Sequence, residues 1–154
     1  MRDLLVWLPP SYDDHPERTY PVLYLFDAQN LFEEEATPWG DWGADETATR
    51  LIAEGAIREL IIPFDDGRGA EPHGEAFGRW FIGEVAPRVE RAFRVSSRRE
   101  ETAVGGSSYG SVISLHLATH YPEKIGAALL ESFPPARQGS GAAAYFDAIE
   151  AWPE

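Results

Sequence analysis

The chain has 154 residues, and its 13 lysines and arginines against 26 aspartates and glutamates give a formal net charge of −13. A surface this acidic repels phosphate backbones and anionic membranes, so we expect neither a nucleic-acid partner nor a membrane partner. The hydrophobic fraction of 44% suffices for a buried core, and the absence of cysteine removes thiol nucleophiles, disulfides and cysteine-ligated metal. The length predicts a single domain, residues 1–154.

Residues 4–8 form the only apolar run near the amino terminus, and two prolines follow it. The run is too short for the core of a signal peptide, and no stretch approaches the roughly 18 apolar residues that a membrane span needs. The sequence therefore predicts a soluble, cytoplasmic protein.

Short apolar runs alternate with helical patterns along the chain. The run at residues 22–26 is wholly apolar, which is typical of a strand buried on both faces. Pro87 falls within the longest helical pattern and predicts a kink there. This alternation predicts an α/β fold of three layers, with helices on both faces of a mostly parallel sheet. The predicted strands lie at 4–8, 22–26, 60–63, 102–105 and 126–132. The first predicted helix begins at Asp45 or Thr47 and ends near residue 57, and the later ones lie at 77–93, 112–121 and 145–152.

One motif carries chemistry: Gly106-Ser107-Ser108-Tyr109-Gly110 matches G-x-S-x-G between a predicted strand and a predicted helix. A serine on so sharp a turn has strained backbone angles, and side chains two residues before or after it would collide. The turn would lift the Ser108 hydroxyl above the sheet and place the Tyr109 N–H at a helix N-terminus, where it can stabilise an oxyanion. The alternative is a glycine-rich turn that only packs tightly or binds phosphate, although the spacing fits neither G-x-G-x-x-G nor a Walker A loop.

Further segments resemble one family in the order in which they occur, across about residues 4–133. Besides the elbow at 105–110 they lie at 6–13, 20–32 (with Asp-Ala-Gln-Asn-Leu-Phe), 42–46 and 120–124. The chain is similar to α/β-hydrolase esterases of the Putative esterase type, which include enterochelin-esterase-like, feruloyl-esterase-like and S-formylglutathione-hydrolase-like enzymes. The resemblance implies a serine carboxylic-ester hydrolase that forms an acyl-enzyme, needs no cofactor or metal, and acts on a small-molecule ester.

The resemblance also implies roles for individual residues. Ser108 takes the position of the family nucleophile, and Tyr109 that of the N–H donor behind it. The second oxyanion donor is expected in the turn after the 22–26 strand, at Ala28 or Gln29. Family members usually carry glycine where Ala28 stands, a departure that can alter this turn.

The catalytic acid and base are not evident in the chain. A serine nucleophile needs an imidazole as base and a carboxylate to orient it, and this fold supplies them in the order Ser, Asp or Glu, His. His116 and His120 are the later histidines, but they share the helix that Ser108 opens, and no acidic residue separates them from it. The chain therefore looks truncated relative to the family, with about five of its strands present.

His73 is the remaining candidate base, because its loop follows the third strand and should emerge at the same sheet edge as the elbow. Asp65, Asp66 or Glu71 could orient it, and the alternative is an ordinary exposed loop histidine. His15 is expected to be solvated in the turn after the first strand.

Other patterns have structural alternatives. His116 and His120, four residues apart, could bind zinc, but without a third ligand a packed His116 and a His120 at the helix C-terminus fit better. Trp39 and Trp42 either line an acyl or aromatic pocket or belong to the core, whereas the helical spacing of Trp80 favours the core. The acidic run at 33–35 reads as a solvated face.

Two function hypotheses follow. The first is a serine esterase that uses Ser108, and the second is a catalytically incomplete hydrolase fragment with binding or no activity. If later strands are missing, the 126–132 strand should present an unpaired apolar edge, which favours self-association.

Overall fold

The computed structural model describes residues 4–26, 42–65 and 75–133. The strands are β1 Leu4–Trp7, β2 Val22–Phe26, β3 Ile62–Asp65, β4 Thr102–Ser107 and β5 Ala127–Glu131. The helical elements are α1 Ala44–Ala53, α2 Glu75–Trp80, a π-helical segment Phe81–Val85, α3 Ala86–Ala92, a 3₁₀ turn Arg99–Glu101 and α4 Tyr109–His120. The helix predicted at 145–152 lies outside the described residues.

The five strands form one sheet in the order β1-β3-β2-β4-β5. β2 is parallel to both β3 and β4, β4 is parallel to β5, and β1 is antiparallel to β3. The prediction of a mostly parallel sheet is therefore confirmed. β3 lies on one side of β2, whereas β4 and β5 lie on the other, so the order in which strands are added to the sheet reverses between β2 and β4. In open α/β sheets, ligand sites lie at the carboxyl ends of such a strand pair.

Two hydrophobic clusters cover the two faces of the sheet. The larger contains Tyr24 and Phe26 of β2 against Phe81, and the smaller contains Leu25 of β2 against Ala48 of α1. Phe81 packs edge-on against Tyr24 and Phe26, with ring centroids 4.9 and 5.4 Å apart, and such pairs contribute about 0.5–1.5 kcal/mol beyond their buried area. The three-layer arrangement and the burial of β2 on both faces are thus as predicted.

The predicted boundaries of α1 are wrong at both ends. Neither Asp45 nor Thr47 caps the helix: Gly43 does, in a left-handed conformation at φ 57°, and its carbonyl accepts the first helical hydrogen bond from Thr47 N–H at 2.9 Å. The helix ends at Ala53 rather than near residue 57, because Gly55 adopts φ +68° directly after the Glu54 C-cap. A glycine in this conformation is a common terminator of helices.

The long helical pattern at 77–93 is present but interrupted before Pro87. Ala86 N–H bonds to the carbonyl of Phe81, five residues earlier, so one π-helical turn separates α2 from α3. Proline has no N–H to give to the residue four positions before it, which here is Gly83 within that turn. The predicted irregularity therefore takes the form of a π segment that ends just ahead of Pro87.

Strand β5 has β4 as its neighbour on one side, and within the described ranges no strand pairs with its other side. Leu129 in its middle is 59% exposed. Self-association through this edge stays a prediction. None of the helices in the described ranges is long and apolar enough to cross a membrane.

Candidate active site

Ser108 occupies a strained turn between β4 and α4. Its backbone has φ 50° and ψ −112°, and among the described non-glycine residues only Ser132 shares a positive φ. Such conformations cost of order 1–3 kcal/mol and persist where the surrounding structure enforces them, often at functional sites. The side chain of Ser108 is exposed at the carboxyl edge of the sheet.

The close approach of three backbones explains the glycines of the motif. A Cβ on Gly106 would lie 2.7 Å from the carbonyl oxygen of Phe26 and 2.8 Å from the carbonyl carbon of Gly110. Real Cβ atoms do not approach other atoms so closely, so a side chain at Gly106 would force β2 or the start of α4 to move. The turn is therefore tight because the neighbouring strand and the following helix both contact it.

Hydrogen bonds fix the same turn from two further directions. The Ser108 N–H donates to the carbonyl of Glu131, the last residue of β5, at 3.1 Å. The hydroxyl of Ser111 donates to the Ser108 carbonyl at 2.5 Å, and that of Ser114 donates to the Gly110 carbonyl at 2.8 Å. Sequence reasoning did not single out Ser111 and Ser114, although serine three residues after a turn residue is a pattern that predicts such a bond.

The amino terminus of α4 can stabilise negative charge beside Ser108. Tyr109 is the first residue of this 12-residue helix, so its N–H lies at the positive end of the helix dipole. Phe26, the last residue of β2, pairs with Gly106, so the chain leaves β2 directly beside the elbow. Ala28 and Gln29 follow within three residues but lie outside the described ranges.

The described histidines do not come close to Ser108. His116 is eight residues further along α4, or about 12 Å along the helix axis, and it is buried. The Nδ1 atom of His120 lies 2.9 Å from the His116 carbonyl oxygen, near the end of α4. His15 follows antiparallel β1, at the sheet edge opposite the elbow, with its Nδ1 3.6 Å from Glu17 Oε1.

β3 runs parallel to β2 and therefore ends at the same edge of the sheet as the elbow. The loop that carries His73 follows β3, and His73 itself lies outside the described residues. Trp42 is 38% exposed just before α1, and Trp80 is half-buried against the larger cluster. Trp39 and the acidic run at 33–35 lie outside the described residues. Within those ranges no group of three or more His, Asp or Glu could hold a metal ion.

We expect His116 to make stability fall in mild acid. Burial lowers the pKa of His116 below its usual value, His120 lowers it further and Glu75 opposes the shift. The unfolded chain therefore binds more protons at this site than the folded chain, and the free energy of unfolding decreases as pH falls through about 6.5, the usual histidine pKa. When the pH is lowered from above 6.5 to below it, the urea midpoint of the wild type should fall further than the urea midpoint of His116→Gln. Equal drops in the two proteins would contradict this assignment.

The sheet order, the antiparallel first strand and the strained serine turn after β4 together define an α/β-hydrolase fold. The chain belongs to the Putative esterase family, whose model matches residues 1–142. The fold and the family predicted from the sequence are therefore confirmed.

Known proteins of this kind share the fold over most of the chain. The chain is 28% identical over 138 residues to an uncharacterised protein of Corynebacterium glutamicum, covering 83% of this chain and 32% of that protein. It superposes on enterochelin esterase from Shigella flexneri with a TM-score of 0.73 at 20% identity, over 97% of this chain and 38% of that one. A ferulic acid esterase from Anaeromyces mucronatus gives a TM-score of 0.61 at 28% identity, over 82% of this chain and 51% of that one. The chain thus spans between about a third and a half of the length of these relatives.

Proposed function

We propose that the chain is a serine esterase that acts on a small-molecule carboxylic ester, with Ser108 as the nucleophile that forms an acyl-enzyme. Ser108 Oγ attacks the ester carbonyl carbon, its proton passes to a base, and the bond to the alcohol oxygen breaks as that alcohol is protonated. Water then attacks the acyl-enzyme, releasing the acid and restoring Ser108. Membership of an esterase family supports this reaction class.

The observation that carries the proposal is the conformation of Ser108. A positive φ at a serine is costly, and here β2, β5 and α4 all contact or hydrogen-bond the turn that enforces it. The turn lies at the carboxyl ends of β2 and β4, where the topology switches direction. A turn that only packed tightly would have no need to present an exposed hydroxyl at this edge.

We propose Tyr109 N–H and a backbone N–H of Ala28 or Gln29 as the oxyanion hole. The first lies at the N-terminus of α4, and the others follow β2, whose last residue is paired with Gly106. Preorganised donors at the point where negative charge develops are among the largest contributions to acyl-transfer catalysis. Trp39 and Trp42 are proposed to line the acyl side of the site, which suits the aromatic acid named for the Anaeromyces relative.

His73 is the proposed base of this chain. Its loop connects β3, which ends at the elbow's edge, to α2, which packs on the same face as α4. The competing proposal is an incomplete hydrolase fragment, and its support is that no described histidine approaches Ser108.

Hydrolysis assays separate the two proposals. The chain should hydrolyse p-nitrophenyl butyrate or methyl ferulate, and His73→Gln should lower kcat by at least about 100-fold, because general-base catalysis contributes about 10²–10⁴-fold. The matched control is His15→Gln, which removes a histidine at the opposite sheet edge and should leave kcat unchanged. A folded chain without turnover on any ester would support the fragment, and undiminished turnover in His73→Gln would remove His73 from the mechanism.

A further inference from the structure

A cavity of about 420 Å³ lies between the sheet and the stretch of helix from α2 to α3. It is bounded by the first three strands on one side and by the α2–α3 stretch on the other, and neither Ser108 nor Tyr109 lines it. Sites for small molecules usually measure about 300–1,000 Å³, so the cavity can hold a compact ligand. The aromatic residues that line it and belong to the larger cluster are Tyr24, Phe26, Trp80 and Phe81.

Two arginines at this cavity differ from the other arginines that the structure describes. Arg88 and Arg91 line it and are exposed, and in the described part of the chain neither forms an ion pair or a hydrogen bond. The other described arginines all have partners: Arg18 with Glu59, Arg50 with Glu54, Arg58 and Arg98 with Glu101, Arg79 with Glu75, Arg94 with the Tyr12 carbonyl and Arg99 with the Pro122 carbonyl. In a chain of net charge −13, two unpartnered guanidinium groups beside one cavity are an exception.

The charges at the cavity favour a singly charged anion. Glu84 also lines it, so among the described lining residues two arginines and one glutamate leave a surplus of one positive charge. A guanidinium group binds carboxylates through two parallel hydrogen bonds, which makes arginine well suited to this anion. The aromatic walls favour a ring, because edge-to-face packing adds to the gain from burying apolar surface.

We propose that the cavity binds a small amphipathic carboxylate, with its aromatic body among the wall residues and its carboxylate on Arg88 and Arg91. This site does not depend on Ser108 or on the esterase reaction. It would bind such an acid as an effector or as a second ligand, because neither Ser108 nor Tyr109 is among the residues that line the cavity.

Gly83 provides a way to close the cavity without disturbing the fold. It lines the cavity, and a Cβ built on it would have no atom within 4 Å. Leucine at this position therefore has room for its first carbon and should take up space that the ligand needs. Helix propensity also favours leucine over glycine here.

Titration calorimetry with 4-phenylbutyrate and its neutral counterpart 4-phenyl-1-butanol tests the proposal. The acid should bind at least about tenfold more tightly than the alcohol, a difference equivalent to about 1.4 kcal/mol. Arg88→Gln with Arg91→Gln should abolish this preference, and Gly83→Leu should weaken binding of both compounds. Arg79→Gln is the matched control, because Arg79 is paired with Glu75 on the same helical stretch and does not line the cavity.

Three outcomes would overturn the proposal. The first is no saturable binding of the acid by the folded chain, and the second is equal affinity for acid and alcohol, which would leave a plain apolar cavity. The third is binding that disappears in Ser108→Ala, which would place the acid at the elbow. Retained binding in Ser108→Ala, whatever that variant does to ester turnover, supports a separate site.

Discussion

Ester hydrolysis by the chain is expected to fall by about 10³-fold or more in Ser108→Ala. The methyl group of alanine cannot form the acyl-enzyme, so only binding and oxyanion stabilisation would remain. The substitution removes one exposed oxygen, and the folded structure should survive it, which circular dichroism and the urea midpoint can verify. Initial rates with p-nitrophenyl butyrate give the comparison.

Ser107→Ala is the matched control for this variant. Ser107 is the adjacent serine, but it is the last residue of β4 and lies one position before the strained turn. Its loss should change kcat by less than a few-fold. Equal losses in the two variants, or retained turnover in Ser108→Ala, would assign the reaction to another group.

Gly106→Ala is expected to cost about 3 kcal/mol of the free energy of unfolding and to lower turnover by about 100-fold. The added Cβ would meet backbone atoms of both β2 and α4 at under 3.0 Å, so one of these elements must shift. Either shift moves Ser108 relative to the donors of the proposed oxyanion hole. Urea unfolding measures the first effect, and the hydrolysis assay measures the second.

Gly105→Ala is the matched control one residue earlier. A Cβ there would lie 3.0 Å from Leu25 Cδ2 and 3.1 Å from Leu129 Cβ, and these side chains can adjust by a few tenths of an ångström. We therefore expect a smaller loss of stability and nearly unchanged turnover. If Gly106→Ala were no more damaging than Gly105→Ala, the close approach of backbones at the elbow would not be what positions Ser108.

The features that local pattern determines could be predicted from the sequence. The wholly apolar run predicts the observed bounds of β2, Val22–Phe26, because a strand buried on both faces has no polar positions that make its ends ambiguous. The glycines two residues before and after Ser108 predict the elbow between β4 and α4, because that turn has no room for side chains at those positions. The mostly parallel sheet followed from the alternation of strands and helices.

Features that depend on contacts between distant segments could not be predicted. Asp45 and Thr47 are of the residue types that usually cap helices, so the sequence favours them over Gly43. Only the backbone of the structure shows that Gly43 is the cap. The contact of Gly106 with Phe26 spans 80 residues of sequence, and the cavity with its two arginines requires three strands and a helix to be placed together. His73, Ala28, Gln29 and Trp39 lie outside the described residues, so their roles stay predictions.

Reaction with a fluorophosphonate, followed by peptide mass spectrometry, determines whether Ser108 is an activated nucleophile. Trypsin should release residues 100–124 as one peptide that contains both Ser107 and Ser108, and fragmentation should place a single phosphonyl group on Ser108. The urea-unfolded chain and Ser108→Ala should remain unlabelled. A folded chain that takes up no label, or that carries it on Ser107, would show that Ser108 is not the activated nucleophile.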